Sequence, residues 1–291
     1  MRVIHNGIKR KHRRFLSLFF NSLGYSFLLF PLASLFSLEV IPWLPQPYQP
    51  QLFGSYTYST YRDVANAVRQ LSARSHDQEL QAGIGLATMT HWALDLDVEF
   101  ARTPRFDFGF RSVGAQIRKQ LYNDIGGDFL SFTPGLLLRI VPPKALRDVS
   151  TPYHYQFNGE VNLALGKEWS QEIYWRCRLY NFTGFGIANR GSPWVRSLVA
   201  LGLNREDQLE FQTSLWYDRG FGDQTGVNTS PSVFKGWKSI DHRSLDIGVS
   251  FRYLFRYWGS FTFEVRRRLY ARSFPEKVTF FLIRYELPLS F

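Results

Sequence analysis

Three carboxylates spaced two residues apart, Asp95, Asp97 and Glu99 in the run HWALDLDVEF, alternate with Trp92, Leu94, Leu96, Val98 and Phe100. A period of two places the acids on one face of an extended strand and the apolar side chains on the other. Basic residues take the corresponding parity in later segments: Arg111 and Arg118, then Arg176 and Arg178, then Arg252, Arg266, Arg268 and Arg284, with Glu264 and Glu286 among them. Two kinds of chemistry are open to such a set. Acidic and basic walls facing each other across a lumen create a transverse field that sorts solutes by charge. Alternatively, the same groups pair across neighbouring strands and hold an interior together.

Catalytic chemistry has one candidate, His242 with Ser244 at the start of a strand after the longest connection. A His-x-Ser pair resembles that of outer-membrane phospholipases, in which the pair faces lipid. Here the apolar parity is Leu245, Ile247, Val249, Phe251 and Tyr253, so His242 and Ser244 share the opposite face with Asp246. That orientation is wrong for attack on a bilayer lipid, and neither a nucleophile elbow nor a His-Glu-x-x-His metal site is present in the sequence. Cys177 is the single cysteine, which excludes an intramolecular disulfide and a cysteine metal cluster. The expectation is a chain that is not an enzyme and that needs no cofactor or metal.

The elements that must carry these residues are strands. From residue 50 onward, segments of alternating polarity fall near 51–61, 78–88, 91–101, 106–120, 128–141, 155–166, 171–183, 194–204, 207–218, 242–254, 258–272 and 277–291. Twelve strands, an even number, return both chain ends to one side. The connections mostly alternate in length, with long ones at 62–77, 142–154, 184–193 and 219–241 and short ones at 89–90, 167–170, 205–206 and 256–257. Within 62–77, Val64, Val68 and Leu71 have helical spacing, which suggests a turn of helix in an exposed loop or a partial plug. Arg267 takes the parity of Phe261, Phe263 and Val265, which puts a cation on the apolar face unless a bulge intervenes or it lies near headgroups. Between Phe106, Phe108, Phe110 and Val113, Ala115, Ile117 the parity switches, as a bulge near Arg111 would make it.

Composition agrees. Aromatics make up 17% of the chain, a bias that suits strands and the aromatic girdles of a membrane surface. The formal net charge of +11 invites a nucleic-acid reading, but six of the basic residues precede the first acid, Glu39, and no phosphate loop or zinc-finger spacing accompanies the rest. Nucleic acid is therefore not an expected partner. That basic stretch is followed by an apolar one from Phe15 to Leu38, the order of a secretory signal peptide with a cut after Ser37. An uncleaved inner-membrane anchor is the alternative. The domains expected are a signal peptide at 1–37, a proline-rich periplasmic lead at 38–50 with Pro42, Pro45, Pro47 and Pro50, and a barrel at 51–291.

The chain ends VTFFLIRYELPLSF, with Tyr285, Leu287, Leu289 and Phe291 on one parity. Leader, repeated alternation, long and short connections and terminal Phe291 together resemble the bacterial outer-membrane β-barrels. The resemblance covers 51–291 and implies an all-β, up-and-down antiparallel transmembrane barrel of about twelve strands in outer-membrane lipid. It also implies that the last strand, through Tyr285, Leu287, Leu289 and Phe291, is the signal read by the barrel-assembly machinery. Leader and terminal Phe also favour an apolar outside and charged inside over the inverse, lipocalin-like arrangement. The function expected is a channel for small polar or ionic solutes lined by Asp95, Asp97, Glu99, Arg111, Arg176, Arg178, Arg252, Glu264, Arg266, Arg284 and Glu286. Its alternatives are a structural or adhesive barrel with a closed lumen and functional external loops, and the phospholipase.

Overall fold

The computed structural model describes residues 40–289 apart from 172–173 and 256–257. The expected signal peptide at 1–37 and the terminal Phe291 lie outside the described residues. Among the described residues fourteen strands follow in chain order: β1 Gln51–Tyr61, β2 Ala67–Arg69, β3 Ser75–Ala87, β4 Trp92–Thr103, β5 Phe106–Lys119, β6 Ser131–Ile140, β7 Phe157–Gln171, β8 Trp175–Ala188, β9 Trp194–Arg205, β10 Leu209–Gly220, β11 Val227–Asn228, β12 Arg243–Phe255, β13 Gly259–Arg272 and β14 Thr279–Pro288. Twelve of them close into an antiparallel barrel in which each strand pairs with its sequence neighbours, and β1 meets β14 to complete the ring. Closure leaves no unpaired sheet edge, which is the condition for a β-structure to sit in lipid.

Alternation generates the two faces directly. On β4, Trp92, Leu94, Leu96 and Val98 are exposed on the outside while Asp95, Asp97 and Glu99 are buried within. The same outward set recurs around the wall, with Leu136, Leu138, Ile140, Leu201, Leu203, Phe211, Leu215, Ile247, Val249 and Phe251 exposed as an apolar belt. Trp92, Trp169, Trp175 and Trp258 sit outward at the strand ends nearest the short turns, forming the interfacial girdle on the side of the chain ends. In bacterial outer-membrane barrels short turns face the periplasm and long loops the exterior, and the two ends of this barrel are named periplasmic and extracellular on that pattern.

Strand positions agree with the alternation, and the ends differ for a physical reason. β7 runs on to Gln171, five residues past the apolar pattern, because Lys167, Glu168 and Ser170 continue to pair with β8 beyond the belt, where lipid no longer selects apolar side chains. A register shift leaves Arg111 as the extra residue opposite Glu99 and Phe100, which reverses the parity of β5. The segment after β1 forms no helix: Val64 is buried and Val68 is 76% exposed, so the two do not share a face. Instead β2 pairs in parallel with β11, tying the first long loop to the 221–242 loop.

Candidate functional site: the charged barrel interior

The wall formed by β3 to β6 presents carboxylates and guanidiniums on facing positions. Asp95 pairs with Arg118 at 3.0 Å. Arg139, one strand further on, donates to both oxygens of Asp97 at 2.9 Å and pairs with Glu99 at 2.9 Å. Glu99 also accepts from the Ser112 hydroxyl at 2.6 Å and from the Tyr153 phenol, and Gln81 donates to Asp97 at 2.7 Å. Arg111 pairs with Glu79. Arg139 is absent from the inward set expected from sequence, although it closes this lattice. Its signal is legible in retrospect, since Leu136, Leu138 and Ile140 alternate around it.

The opposite wall, β8 to β14, is looser. Arg178 pairs with Glu168 at 2.7 Å, and Arg252 and Arg284 both pair with Glu286 at 2.7 Å. Arg176 stands at the periplasmic rim against Asp207. Arg266 is buried between the Trp216 and Phe280 rings, 5.0 and 4.6 Å from their centroids, with Glu264 at 4.0 Å. Two spaces lie along this wall. A periplasmic-side cavity of about 170 Å³ is bounded by Arg178, Glu210, Arg252, Glu264, Arg284 and Glu286, and an extracellular-side one of about 70 Å³ by Asp218, Asp246, Arg266 and Arg268; Trp216 lines both.

Both ends are occupied by the chain itself. The proline-rich segment after residue 39 enters the periplasmic mouth, where Trp43 is buried against Ala164, Tyr180, Phe182, Leu198 and Ala200. Its indole donates to Asp124 at 2.8 Å, the Pro42 carbonyl accepts from the Thr133 hydroxyl at 2.6 Å, and the Arg178 guanidinium lies 4.8 Å over the ring. Gly166 makes the fit: a Cβ there would stand 2.5 Å from the Pro42 ring and 2.8 Å from the Trp43 indole. Burial raises the Asp124 carboxyl, but the Ser131 hydroxyl, the Glu168 amide, the Trp43 indole and Lys167 outweigh it and hold the group below its ordinary range. Proline spacing predicts an extended segment; nothing in it foretells that the segment lies inside the barrel.

At the extracellular end the 141–156 and 221–242 loops fold over the mouth. Trp237 is 1% exposed and donates to the Thr151 carbonyl at 2.6 Å, joining the two loops. His154 stacks on Trp194 at 4.0 Å and lies 5.2 Å from His242. Trp194 in turn needs Gly186 beneath it, since a Cβ there would lie 2.0 Å from the indole. His242 and Ser244 face the interior, as their parity requires. The His242 Nδ1 meets the Ile240 carbonyl at 3.1 Å, and its Nε2 lies 3.5 Å from an Asp218 oxygen. Among the described residues no group of three or more His, Cys, Asp or Glu is placed to hold a metal ion.

Burial pushes the His154 imidazole well below its ordinary range, and His242 adds to the effect. A depressed folded value means that the docked loop is favoured above the unfolded-state value near pH 6.5 and loses that stability as pH falls below it. Acidification from pH 7.5 to 5 is therefore expected to reduce hydrogen-exchange protection in the 141–156 loop, after correction for intrinsic rates, and to do so far less in His154→Phe. Equal protection at both pH values in the parent protein would contradict this.

No family model matches the chain, and no curated protein matches it. Solved structures do. An outer-membrane channel from Pseudomonas putida F1 is similar over 88% of this chain and 100% of its own, with 11% identity and a TM-score of 0.57. The NanC porin is similar over 81% of this chain and 100% of its own, with 9% identity and a TM-score of 0.48. The β domain of the Bordetella autotransporter BrkA covers 82% and 100%, with 11% identity and a TM-score of 0.46. Closed topology, outward apolar belt and the first of these likenesses lead to one conclusion: the chain is a twelve-stranded antiparallel β-barrel with the fold of the bacterial outer-membrane barrel proteins.

Proposed function

We propose that this barrel is an outer-membrane channel for small polar or ionic solutes, closed at rest by its own chain. The observation that carries the reading is the pair of cavities along β8 to β14, with Trp216 in the lining of each. The lower cavity reaches the Trp43 plug and the upper one the extracellular loops, and an open path requires that they join. In this reading Arg178, Arg252, Glu264, Arg266, Arg284 and Glu286 touch the solute and replace part of its hydration. Asp95, Asp97, Glu99 and Arg111 form the fixed side of the conduit, and Arg176 its periplasmic lip. The likeness to a protein described as an outer-membrane channel supports the same reading. Tyr285 and Leu287, outward on the strand that closes the ring against Gly54 and Leu52, support a role for the last strand, with Leu289 and Phe291, as the segment read by the barrel-assembly machinery.

A structural barrel with a permanently closed lumen is the second reading, and the lattice around Arg139 favours it. Ion selectivity separates the two. Exchanging Arg252 and Arg284 for Gln leaves Glu286 without its guanidinium partners, so reversal potentials in a salt gradient are expected to move toward cation selectivity. Conductance with unchanged selectivity would remove these residues from the path.

A further inference from the structure

The interior uses most of the charged side chains, but one basic group lies on the outside. Arg219 on β10, Arg243 on β12 and Arg272 on β13 are direct cross-strand neighbours, at the extracellular ends of three adjacent strands. Each has outward parity: the inward positions beside them are Asp218, Ser244 and Ala271, which line the upper cavity or pack against the loop core. One residue pair further into the wall, on the same outward face, come Tyr217, Leu245 and Tyr270, and then Leu215 and Ile247 beside Arg267. The arginine row thus lies at the upper edge of the apolar belt, where lipid headgroups replace hydrocarbon.

Like charges directly opposite one another on a sheet destabilise it. Here three guanidiniums stand in a row and a single carboxylate, Asp241, serves two of them, at 3.6 Å from Arg243 and 3.5 Å from Arg272. Arg219 stacks over the Phe221 ring at 4.7 Å and has no acidic partner among the described residues. The Nε atoms of Arg219 and Arg243 are buried without a hydrogen-bond partner. Two rows lower, Arg267 adds a fourth cation and turns to the Thr279 hydroxyl at the extracellular start of β14. A multivalent oxyanion resolves this arrangement, because guanidinium forks bind phosphate in bidentate fashion.

We propose that this row is a seat for the phosphate groups of an anionic glycolipid of the outer leaflet, with the acyl chains lying over Tyr217, Leu245, Tyr270 and Ile247. The position selects a lipid over a free anion: the guanidiniums crown a surface that is apolar immediately below them. The site is independent of the conduit, since its side chains are on the other face of the wall.

Binding of bisphosphorylated lipid A, of the same lipid with its phosphates removed, and of inorganic phosphate to the refolded full chain in neutral detergent, followed by native mass spectrometry, tests the assignment. Bisphosphorylated lipid A is expected to bind at least about tenfold more tightly than its dephosphorylated form, the equivalent of roughly 1.4 kcal/mol. The preference is expected to disappear in Arg219→Gln/Arg243→Gln/Arg272→Gln and to weaken in Arg219→Gln alone, a variant that breaks no ion pair. Arg205→Gln, at the periplasmic end, is expected to keep it. Equal binding of the two lipids, an unaltered preference in the triple variant, or displacement of the lipid by millimolar inorganic phosphate would overturn the proposal. Heat-modifiable migration on gels monitors folding of each variant, and the phosphate dependence is a readout that a purely structural role would not move.

Discussion

Replacing Arg139 with methionine is expected to destabilise the folded barrel by roughly 3–5 kcal/mol, the cost of leaving a buried charge without its partner. Two carboxylates depend on this one guanidinium: Asp97 and Glu99, both essentially inaccessible. Asp97 would keep the Gln81 amide, and Glu99 the Ser112 and Tyr153 hydroxyls, but none of these carries a charge. The loss extends to the 141–156 loop, because the Arg139 guanidinium also lies 5.3 Å from the centre of the Tyr153 ring. Burial pushes the Tyr153 phenol well above its ordinary range, so it remains a neutral donor to Glu99 and cannot itself balance the charge. Urea unfolding in lipid vesicles, followed by tryptophan fluorescence, gives the number. Neutralising the carboxylates in the same chain, with Asp97→Asn and Glu99→Gln, is expected to restore much of the stability. A change below about 1 kcal/mol for the single substitution is what an exposed pair gives, and would mean that the lattice is solvated.

The second large effect is expected at the other end of the barrel. Trp43→Ala removes the anchor of the proline-rich segment, and truncation of a buried tryptophan costs about 3–5 kcal/mol. At about 1.4 kcal/mol per decade, the balance between docked and released segment shifts by a factor of roughly 100 or more. What remains, the Pro42 carbonyl with Thr133 and Gln120, the Ile41 carbonyl with Arg118, and the Tyr48 amide on Ala87, does not reproduce an indole that fills the space above Gly166. Hydrogen exchange of the Tyr48 amide reports the release, with protection expected to fall by a comparable factor. Retained protection would place the hold on the segment in the carbonyl contacts and not in Trp43.

The fold was legible because lipid imposes a strict rule. A strand that meets hydrocarbon on one side and a packed interior on the other must alternate, and Leu94, Leu96 and Val98 against Asp95, Asp97 and Glu99 obey it without exception. Even the exceptions were readable: the parity switch on β5 marks the bulge at Arg111, and Arg267, outward as its parity requires, stands beside the first residue of β14. The loops were not legible. The helical spacing of Val64, Val68 and Leu71 is coincidental, because outside the bilayer no solvent enforces a period, and a valine at 64 is buried by a partner more than 160 residues away, Val227. The occupied lumen was equally hidden. Parity says which side chains point inward, but not that Asp97 and Glu99 would share one arginine, nor that the segment ahead of β1 would turn back into the mouth. Those contacts depend on what fills the space, and a tryptophan between prolines carries no mark of where it is buried.

The central claim is that a solute path exists and that the chain itself closes it. The most direct test is single-channel recording in planar lipid bilayers of residues 38–291 and of the same chain carrying Trp43→Ala. Rare or small openings in the parent, with frequent discrete steps of larger conductance in the variant, are the predicted result. If both proteins insert as folded barrels and both remain silent, the cavities along β8 to β14 do not join into a path, and the barrel is a closed scaffold whose function lies in its loops and outer surface.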